Sequence, residues 1–121
     1  MITIIKDLPD GVLGASASGE VSAEDYRRVL VPAIEAELAS GAQKLHFLYH
    51  LGPDFERIKP DAMWQDARLG AAHMRAFERV ALVTDVDWIT RSVHAFAWLM
   101  PGDVKTFGND QFGEAVTWLA H

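Results

Sequence analysis

The sequence contains no cysteine. This absence excludes a disulfide framework, a thiol nucleophile and a thiolate metal site. Positive charge is also scarce, because 11 Lys and Arg residues stand against 17 Asp and Glu residues and leave a formal net charge of −6. Nonspecific nucleic-acid binding depends on attraction to phosphates, so the acidic balance argues against nucleic acid as a partner.

Long hydrophobic runs are missing as well. No stretch approaches the roughly 20 apolar residues that a membrane-spanning helix needs, and the N-terminal residues lack the basic and long apolar segments of a secretory leader. We therefore expect a cytoplasmic protein without a membrane span. The chain has 121 residues and 50% of them are hydrophobic, which suffices for one domain with a packed core.

Hydrophobic periodicity and turn residues predict strands and helices that alternate along the chain. We expect strands at residues 1–6, 12–18, 45–51, 80–84 and 104–107. We expect helices at residues 22–41, 60–77, 85–100 and 112–119, and a polar loop at residues 52–59. The resulting order, β-β-α-β-α-β-α-β-α, indicates an α/β fold in which right-handed crossovers build a mostly parallel sheet covered by helices. We expect the first two strands to be antiparallel and the last strand to lie at the edge.

The predicted helices carry start signals and one internal breaker. Ser22 and Asp25 resemble a capping box at the start of the first helix, and Asp85 and Asp87 are suited to cap the third. Pro32 lies well inside the first helix, where it removes a backbone hydrogen bond and clashes with the preceding turn. We therefore expect this helix to be kinked or broken near Pro32.

Sequence motifs for several common chemistries are absent. Neither GxxxxGK[ST] nor GxGxxG occurs in the sequence, so a standard phosphate-binding loop is not expected. The GxSxG elbow of serine hydrolases is missing too. We therefore expect no catalytic residues, no cofactor and no bound metal.

His46 and His50 have a spacing that places two imidazoles on one face of a helix for zinc. Here, however, both residues fall in a predicted strand. Four residues of strand cover about 13 Å, which is too far for both side chains to reach one metal ion. We expect both histidines to be hydrogen-bonded beneath a covering helix instead.

Asp66 and His73 are seven residues apart on the second predicted helix and project on the same flank. Two helical turns separate them by roughly 10 Å, so they form no direct dyad. They are either polar residues at the margin between helix and sheet or residues that line the mouth of a cleft beside Trp64. A general acid–base role for His73 with Asp66 or Asp54 would require these groups to converge around a substrate.

On the third predicted helix, Trp98 projects nearly opposite the apolar stripe that contains Ile89 and Val93. An aromatic side chain on the solvent face is a candidate contact for a protein partner, a second subunit or a ligand. A single exposed tryptophan is also common in domains where it has no function. Both interpretations stay open, and with them a homodimer through Trp98.

Several short segments together resemble the SpoIIAA-like family of small bacterial proteins. The most specific part runs from Trp64 to Trp88. The matching residues are Asp25-Tyr26, Pro32, Asp54-Phe55, Trp64-Gln65-Asp66, Gly70, His73, the segment FERVALVTD at 77–85, Trp88, and Ala115 to Leu119 with Trp118. The resemblance covers nearly the whole chain. It implies a STAS-like α/β domain, the architecture of anti-sigma-factor antagonists, which is related in fold to CRAL-TRIO lipid-transfer domains.

The resemblance also implies a difference in regulation. True antagonists carry a Ser or Thr at the start of the second helix, where phosphorylation adds nearly two negative charges and switches partner binding. Residues 51–62 read LGPDFERIKPDA and contain neither Ser nor Thr. We therefore expect the phosphoswitch of the antagonists to be absent.

The resemblance and the missing catalytic motifs favour a non-catalytic binding or regulatory module with an unknown protein partner. The candidate surface consists of Asp54, Phe55, Trp64, Asp66, His73, Trp88 and Trp98. The alternative is a carrier or sensor of a small apolar or lipid-like ligand, held in a cleft between the second and third helices. Its candidate lining consists of Met63, Trp64, Met74, Trp88, Phe96 and Met100.

Overall fold

The computed structural model describes residues 1–41, 44–62, 76–97 and 102–120. The strands in these ranges are β1 (Ile2–Ile5), β2 (Val12–Val21), β3 (Leu45–Ile58), β4 (Phe77–Thr84) and β5 (Asp103–Phe107). The helices are α1 (Ala23–Asp25), α2 (Val31–Ala39), α3 (Asp87–Phe96) and α4 (Phe112–Ala120), with a π-helical segment at Tyr26–Leu30 and a 3₁₀ turn at Asn109–Gln111. Residues 60–62 begin a further helix. Within the described residues, no helix is both long and apolar enough to cross a membrane.

The strands form one sheet in the order β1-β2-β3-β4-β5. β1 is antiparallel to β2, whereas the neighbouring pairs from β2 to β5 are parallel. This arrangement confirms the predicted α/β fold, its antiparallel opening pair and the edge position of β5.

β3 is longer than the strand predicted at residues 45–51, and the loop predicted at residues 52–59 is wrong for most of its length. The reason is a partner strand, because β2 also runs beyond its predicted end and pairs Val21 with Ile58. Pro53 lies where the register between the two strands shifts. Its missing N–H is tolerated there because the regular ladder is interrupted.

β4 begins earlier than predicted. Phe77 was expected on the buried stripe of the second helix, but it lies in β4 and pairs with Leu45 of β3. The side chain of Phe77 is buried and packs with Phe47, their ring centroids being 5.9 Å apart. A buried aromatic residue suits either element, and only the pairing with β3 decides between them.

The first helical region begins and is interrupted as predicted. The Ser22 hydroxyl accepts a hydrogen bond from the Asp25 N–H, and the Asp25 carboxylate accepts one from the Ser22 N–H at 2.9 Å, which completes a capping box. In the π-helical segment, the Val31 N–H reaches the carbonyl of Tyr26 five residues back. This wider turn interrupts the regular α-helical pattern directly before Pro32, whose ring would clash with an unmodified turn.

Side chains of β3 alternate between two hydrophobic cores on opposite faces of the sheet. The first core joins Phe47 and Tyr49 to Tyr26, Leu30, Ile34 and Ile89. The second core joins Leu48 to Ala81, Val83, Phe107, Ala115 and Leu119. The first helical region and α3 therefore cover one face, and α4 covers the other.

Candidate functional site

Four residues of the predicted surface, Trp64, Asp66, His73 and Trp98, lie outside the described residues. The other three lie at the carboxyl side of the parallel strands. Asp54 is exposed on the extension of β3, and Phe55 is half-buried and packs against the first core. Trp88 lies in the first turn of α3, with 50% of its surface exposed.

The chain leaves β4 and β5 in opposite directions. After β4 it enters α3, which contributes Ile89 to the first core, whereas after β5 it enters α4, which contributes Ala115 to the second. Two neighbouring parallel strands whose connections depart to opposite faces leave a crevice at their carboxyl ends. Ligands of open α/β sheets bind at such crevices.

A cavity of about 330 Å³ occupies this position, and we call it the carboxyl-end crevice. It is lined by Thr84, Asp85, Asp87, Thr90, Thr106, Phe107, Gly108 and Gln111. Most of these side chains carry hydroxyl, amide or carboxylate groups. The crevice therefore suits a polar group that can donate hydrogen bonds.

Hydrogen bonds hold the walls of the carboxyl-end crevice in place. The buried Thr84 hydroxyl accepts a bond from the Val86 N–H at 3.1 Å, which shapes the chain between β4 and α3. The Asp85 carboxylate accepts a bond from the Asn109 N–H at 2.9 Å, and this bond ties the chain after β4 to the chain after β5. The walls are thus positioned before any ligand binds.

Two exposed carboxylates lie near Gly108, the residue that follows β5. A Cβ atom on Gly108 would lie 2.9 Å from an oxygen of Asp110 and 3.2 Å from an oxygen of Asp85. Neither carboxylate forms an ion pair with another described residue. The described residues also contain no group of three or more side chains that could hold a metal ion.

The prediction that Asp85 and Asp87 cap α3 is wrong. Val86 is the N-cap residue and makes no side-chain cap bond. Asp85 instead accepts a hydrogen bond from Asn109 across the crevice, and Asp87 lies in the first turn of the helix. The Asp85 carboxylate therefore holds two loops together rather than a helix end.

His94 connects α3 to the edge strand. Its Nε2 atom lies 2.8 Å from the hydroxyl of Thr106, which lines the crevice. The side chain of His94 is otherwise exposed on α3. This contact links α3 to β5 beside the crevice.

A second, more open groove of about 750 Å³ lies along α4 and is lined by Arg79, Gly113, Glu114, Thr117 and Trp118. The Arg79 guanidinium lies 5.6 Å above the Trp118 ring and donates a hydrogen bond of 2.8 Å to the Trp118 carbonyl. These polar groups already satisfy one another and anchor the end of α4. The larger groove is therefore the weaker candidate for a binding site.

His46 and His50 lie beneath α4, as predicted. The Nδ1 atom of His46 donates to the carbonyl of Leu119, and its Nε2 atom lies 3.4 Å from the Glu78 carboxylate. The His50 ring packs edge-on against Phe112 with centroids 5.2 Å apart. Both imidazoles thus help to dock α4 on the sheet.

Sequence reasoning placed Trp88 on the candidate surface but missed the crevice at the ends of β4 and β5. The available signal was positional, because Asp85 directly follows β4 and Gly108 directly follows β5. The ends of neighbouring parallel strands lie at one edge of a sheet, so residues at both positions were candidates for one site.

The comparisons with known proteins agree with this architecture. Among curated proteins, none matches the chain with significance. The chain is similar to the crystal structure of an uncharacterised protein of the DUF3478 family with a SpoIIAA-like fold, from Shewanella loihica PV-4. The match covers 98% of this chain and 92% of the other chain, with 27% sequence identity and a TM-score of 0.79. The family model that matches residues 12–120 is described as SpoIIAA-like.

Proposed function

The chain belongs to the SpoIIAA-like family, whose fold by itself specifies neither a partner nor a reaction, and on that premise we propose that it is a non-catalytic binding module for a protein partner. The contact surface is the carboxyl edge of the sheet around Trp88. The observation that carries the proposal is the exposure of the Trp88 side chain on α3, next in sequence to Asp87 of the carboxyl-end crevice.

Trp88 has the properties of a binding hot spot. Among the side chains that the structure describes, only those of Met1 and Trp88 are large, hydrophobic and exposed. A tryptophan on the surface contributes a large, rigid contact area when a partner covers it, and hot spots of protein interfaces are enriched in this residue. The hydroxyls and carboxylates of the neighbouring crevice supply the polar groups that surround such a contact.

A non-catalytic role is supported by the use of the described histidines. His46 and His50 dock α4, and His94 bonds Thr106 between α3 and β5. Each imidazole thus has a structural role that accounts for its position. The helix that begins at residue 60 starts with Pro60, Asp61 and Ala62, so binding as we propose it is not switched by a phosphorylated hydroxyl at that helix start.

The alternative of an apolar-ligand carrier depends mainly on residues in the ranges 63–75 and 98–101, which lie outside the described residues. It therefore stays a prediction. Of its proposed lining, Trp88 and Phe96 belong to α3, and the exposed position of Trp88 fits a protein contact better than an enclosed apolar cleft.

The test uses the full chain as bait in a lysate of the source organism, with quantitative mass spectrometry of the captured proteins. We expect at least one protein to bind the wild type and to be reduced about tenfold or more by Trp88→Ala, since a hot-spot truncation costs roughly 1.4 kcal/mol or more. Trp88→Tyr should restore part of the binding. Glu35→Ala, an exposed change on α2, is the matched control and should leave capture unchanged.

Two results would contradict the proposal. The first is an identical set of captured proteins for the wild type and Trp88→Ala. The second is excess mass in native mass spectrometry of the purified chain that disappears on denaturation, which would favour the carrier of a small ligand.

A further inference from the structure

We propose that the edge strand β5 pairs with β5 of a second copy of this chain, so that the sheet continues antiparallel across a two-fold dimer. Val104 lies on the two-fold axis, and Asp103 of each copy faces Lys105 of the other. The proposal is carried by the open edge of β5 together with the order of charges along this strand. It is independent of the surface around Trp88.

One side of β5 has no partner strand within the described ranges. Among the described strands, β5 is last in the order of the sheet and pairs with β4 alone. Its outward N–H and C=O groups are therefore available to a further strand, and main-chain hydrogen bonds to such an edge are a recurring mode of protein association. An identical strand can fill this position, because a two-fold interface uses the same surface on both copies. β1 at the other edge contains no charged residue that could select a register.

The sequence of β5 selects one register for this pairing. A two-fold axis perpendicular to the sheet keeps every side chain on its own face, so the axis passes through a residue and not between two residues. With the axis at Val104, Asp103 of each copy lies opposite Lys105 of the other, and two opposite-charge pairs form. With the axis at Asp103 or at Lys105, two like charges would lie opposite each other. An axis at Thr106 would place Lys105 opposite Phe107 and would form no charge pair.

Both charges are available for pairing across the interface. Asp103 and Lys105 are exposed and form no ion pair with another described residue. Arg79 lies beside Asp103 in the register between β4 and β5, but its guanidinium donates to the Trp118 carbonyl. The Lys105 ammonium lies 5.2 Å from the centre of the Phe107 ring and 6.0 Å from that of the Trp118 ring, and neither ring carries a formal charge. A carboxylate from a second copy therefore meets an ammonium group without a salt-bridge partner.

The rest of β5 is compatible with this register. Val104 is half-buried and lies beside Val80 of β4. Across the axis it lies opposite its own copy, and paired β-branched residues stabilise sheets. On the other face, α4 lies inward from β5, because its buried Leu119 belongs to the core that Leu48 of β3 and Ala81 of β4 form. The outer edge of β5 is therefore not covered by α4.

The first test is sedimentation velocity of the full chain over a concentration series from about 1 μM to about 1 mM. About 0.15 M salt screens the repulsion between two acidic chains. We expect an equilibrium between monomer and dimer. Asp103→Lys and Lys105→Asp each replace attractive pairs by repulsive pairs and should weaken dimerisation about tenfold or more. Glu35→Lys and Lys59→Asp, exposed positions outside β5 with matched changes of charge, should not weaken it.

Combined charge reversals restore the complementary pairs. The double variant with Asp103→Lys and Lys105→Asp exchanges the two charges and should dimerise as the wild type does. The two single variants should form a heterodimer when they are mixed, because each then meets opposite charges in the other. Native mass spectrometry distinguishes this heterodimer from the two homodimers.

An introduced thiol tests the position of the axis. Opposite residues of antiparallel strands have Cα atoms about 4.5 to 5.5 Å apart, a separation that a disulfide can span. Because the chain contains no cysteine, Val104→Cys can form a disulfide only with a second copy. With oxidised glutathione as the oxidant, we expect a covalent dimer for Val104→Cys and none for Glu35→Cys, which places the thiol on the exposed face of α2.

Three results would overturn the proposal. They are a monomer throughout the concentration series, a dimer that neither charge reversal weakens, and no covalent dimer for Val104→Cys. A dimer that only Trp88→Ala abolishes would place the interface at the surface around Trp88 instead. Because none of these measurements depends on captured proteins, the dimer can fail while the binding module stands, and the binding module can fail while the dimer stands.

Discussion

At the residue scale, the absence of a side chain at Gly102 lets the chain that enters β5 pass close to the backbone at the start of β4. A Cβ atom on Gly102 would lie 2.5 Å from the carbonyl oxygens of both Phe77 and Glu78. Because these are backbone atoms of a strand, a larger residue would force β4 or β5 to shift. Gly113 on α4 is the opposite case, since no atom lies within 4 Å of its Cβ position.

We expect Gly102→Ala to lower the free energy of unfolding by about 2 kcal/mol or more, toward the upper part of the range for overpacking. Gly113→Ala should raise it by about 0.5 to 1 kcal/mol, because alanine loses less backbone entropy than glycine in a helix. Urea denaturation of both variants and the wild type measures the two effects. Gly102→Ala with wild-type stability would contradict the predicted clash.

At the element scale, the start of the first helical region depends on one partly buried carboxylate. Asp25 accepts hydrogen bonds from the N–H of Ser22 at 2.9 Å and from its hydroxyl at 3.1 Å, and it lies 3.5 Å from the N-terminal ammonium of Met1. Burial by itself would raise the pKa of Asp25. The bonds from Ser22 and the attraction of the ammonium outweigh burial and hold this pKa below its ordinary value.

We expect Asp25→Asn to lower the free energy of unfolding by about 1 kcal/mol at neutral pH, the usual loss for a capping interaction. A carboxyl whose pKa is lowered by folding contributes its stability above its unfolded-state pKa, and that contribution is lost as the pH falls through the folded-state pKa. The stability difference between wild type and Asp25→Asn should therefore shrink in strong acid. Urea denaturation in a series from neutral to strongly acidic pH, with Asp10→Asn as control, measures it. A difference that is independent of pH would argue against the lowered pKa.

At the scale of the whole molecule, one sheet joins two hydrophobic cores. β3 contributes Phe47 and Tyr49 to the first core and Leu48 to the second. It also pairs with both β2 and β4. Loss of packing on either face must therefore affect the same central strand, and the domain is expected to unfold in one cooperative step.

We expect Ile34→Ala in the first core and Leu119→Ala in the second to lower the free energy of unfolding by about 2 to 5 kcal/mol each, because both side chains are completely buried. Each variant should retain a single transition that coincides in near-UV and far-UV circular dichroism. Separate transitions for the two signals in either variant would show that the cores unfold independently.

Much of the fold could be predicted, and the candidate site could be predicted only in part. The position of the capping box at Ser22 and the docking of His46 beneath a helix both followed from the residues themselves. Trp88 was placed on the candidate surface, but Asp85 was assigned to a helix cap, and neither Gly108 nor Asp110 was considered. Asp85 bonds the Asn109 N–H because β4 and β5 are neighbouring parallel strands, a pairing that local sequence patterns do not specify.

The sequence by itself determined the order of strands and helices, the antiparallel opening pair and the interruption before Pro32, because periodicity, β-branched residues and proline act over a few neighbouring positions. Tertiary structure decided the extension of β3 to Ile58, which requires β2 as a partner, and the place of Phe77 in β4. Tertiary structure also decided where the carboxyl-end crevice forms. Its lining residues are distant in sequence, and the space between them depends on the face of the sheet to which the chain turns after each strand.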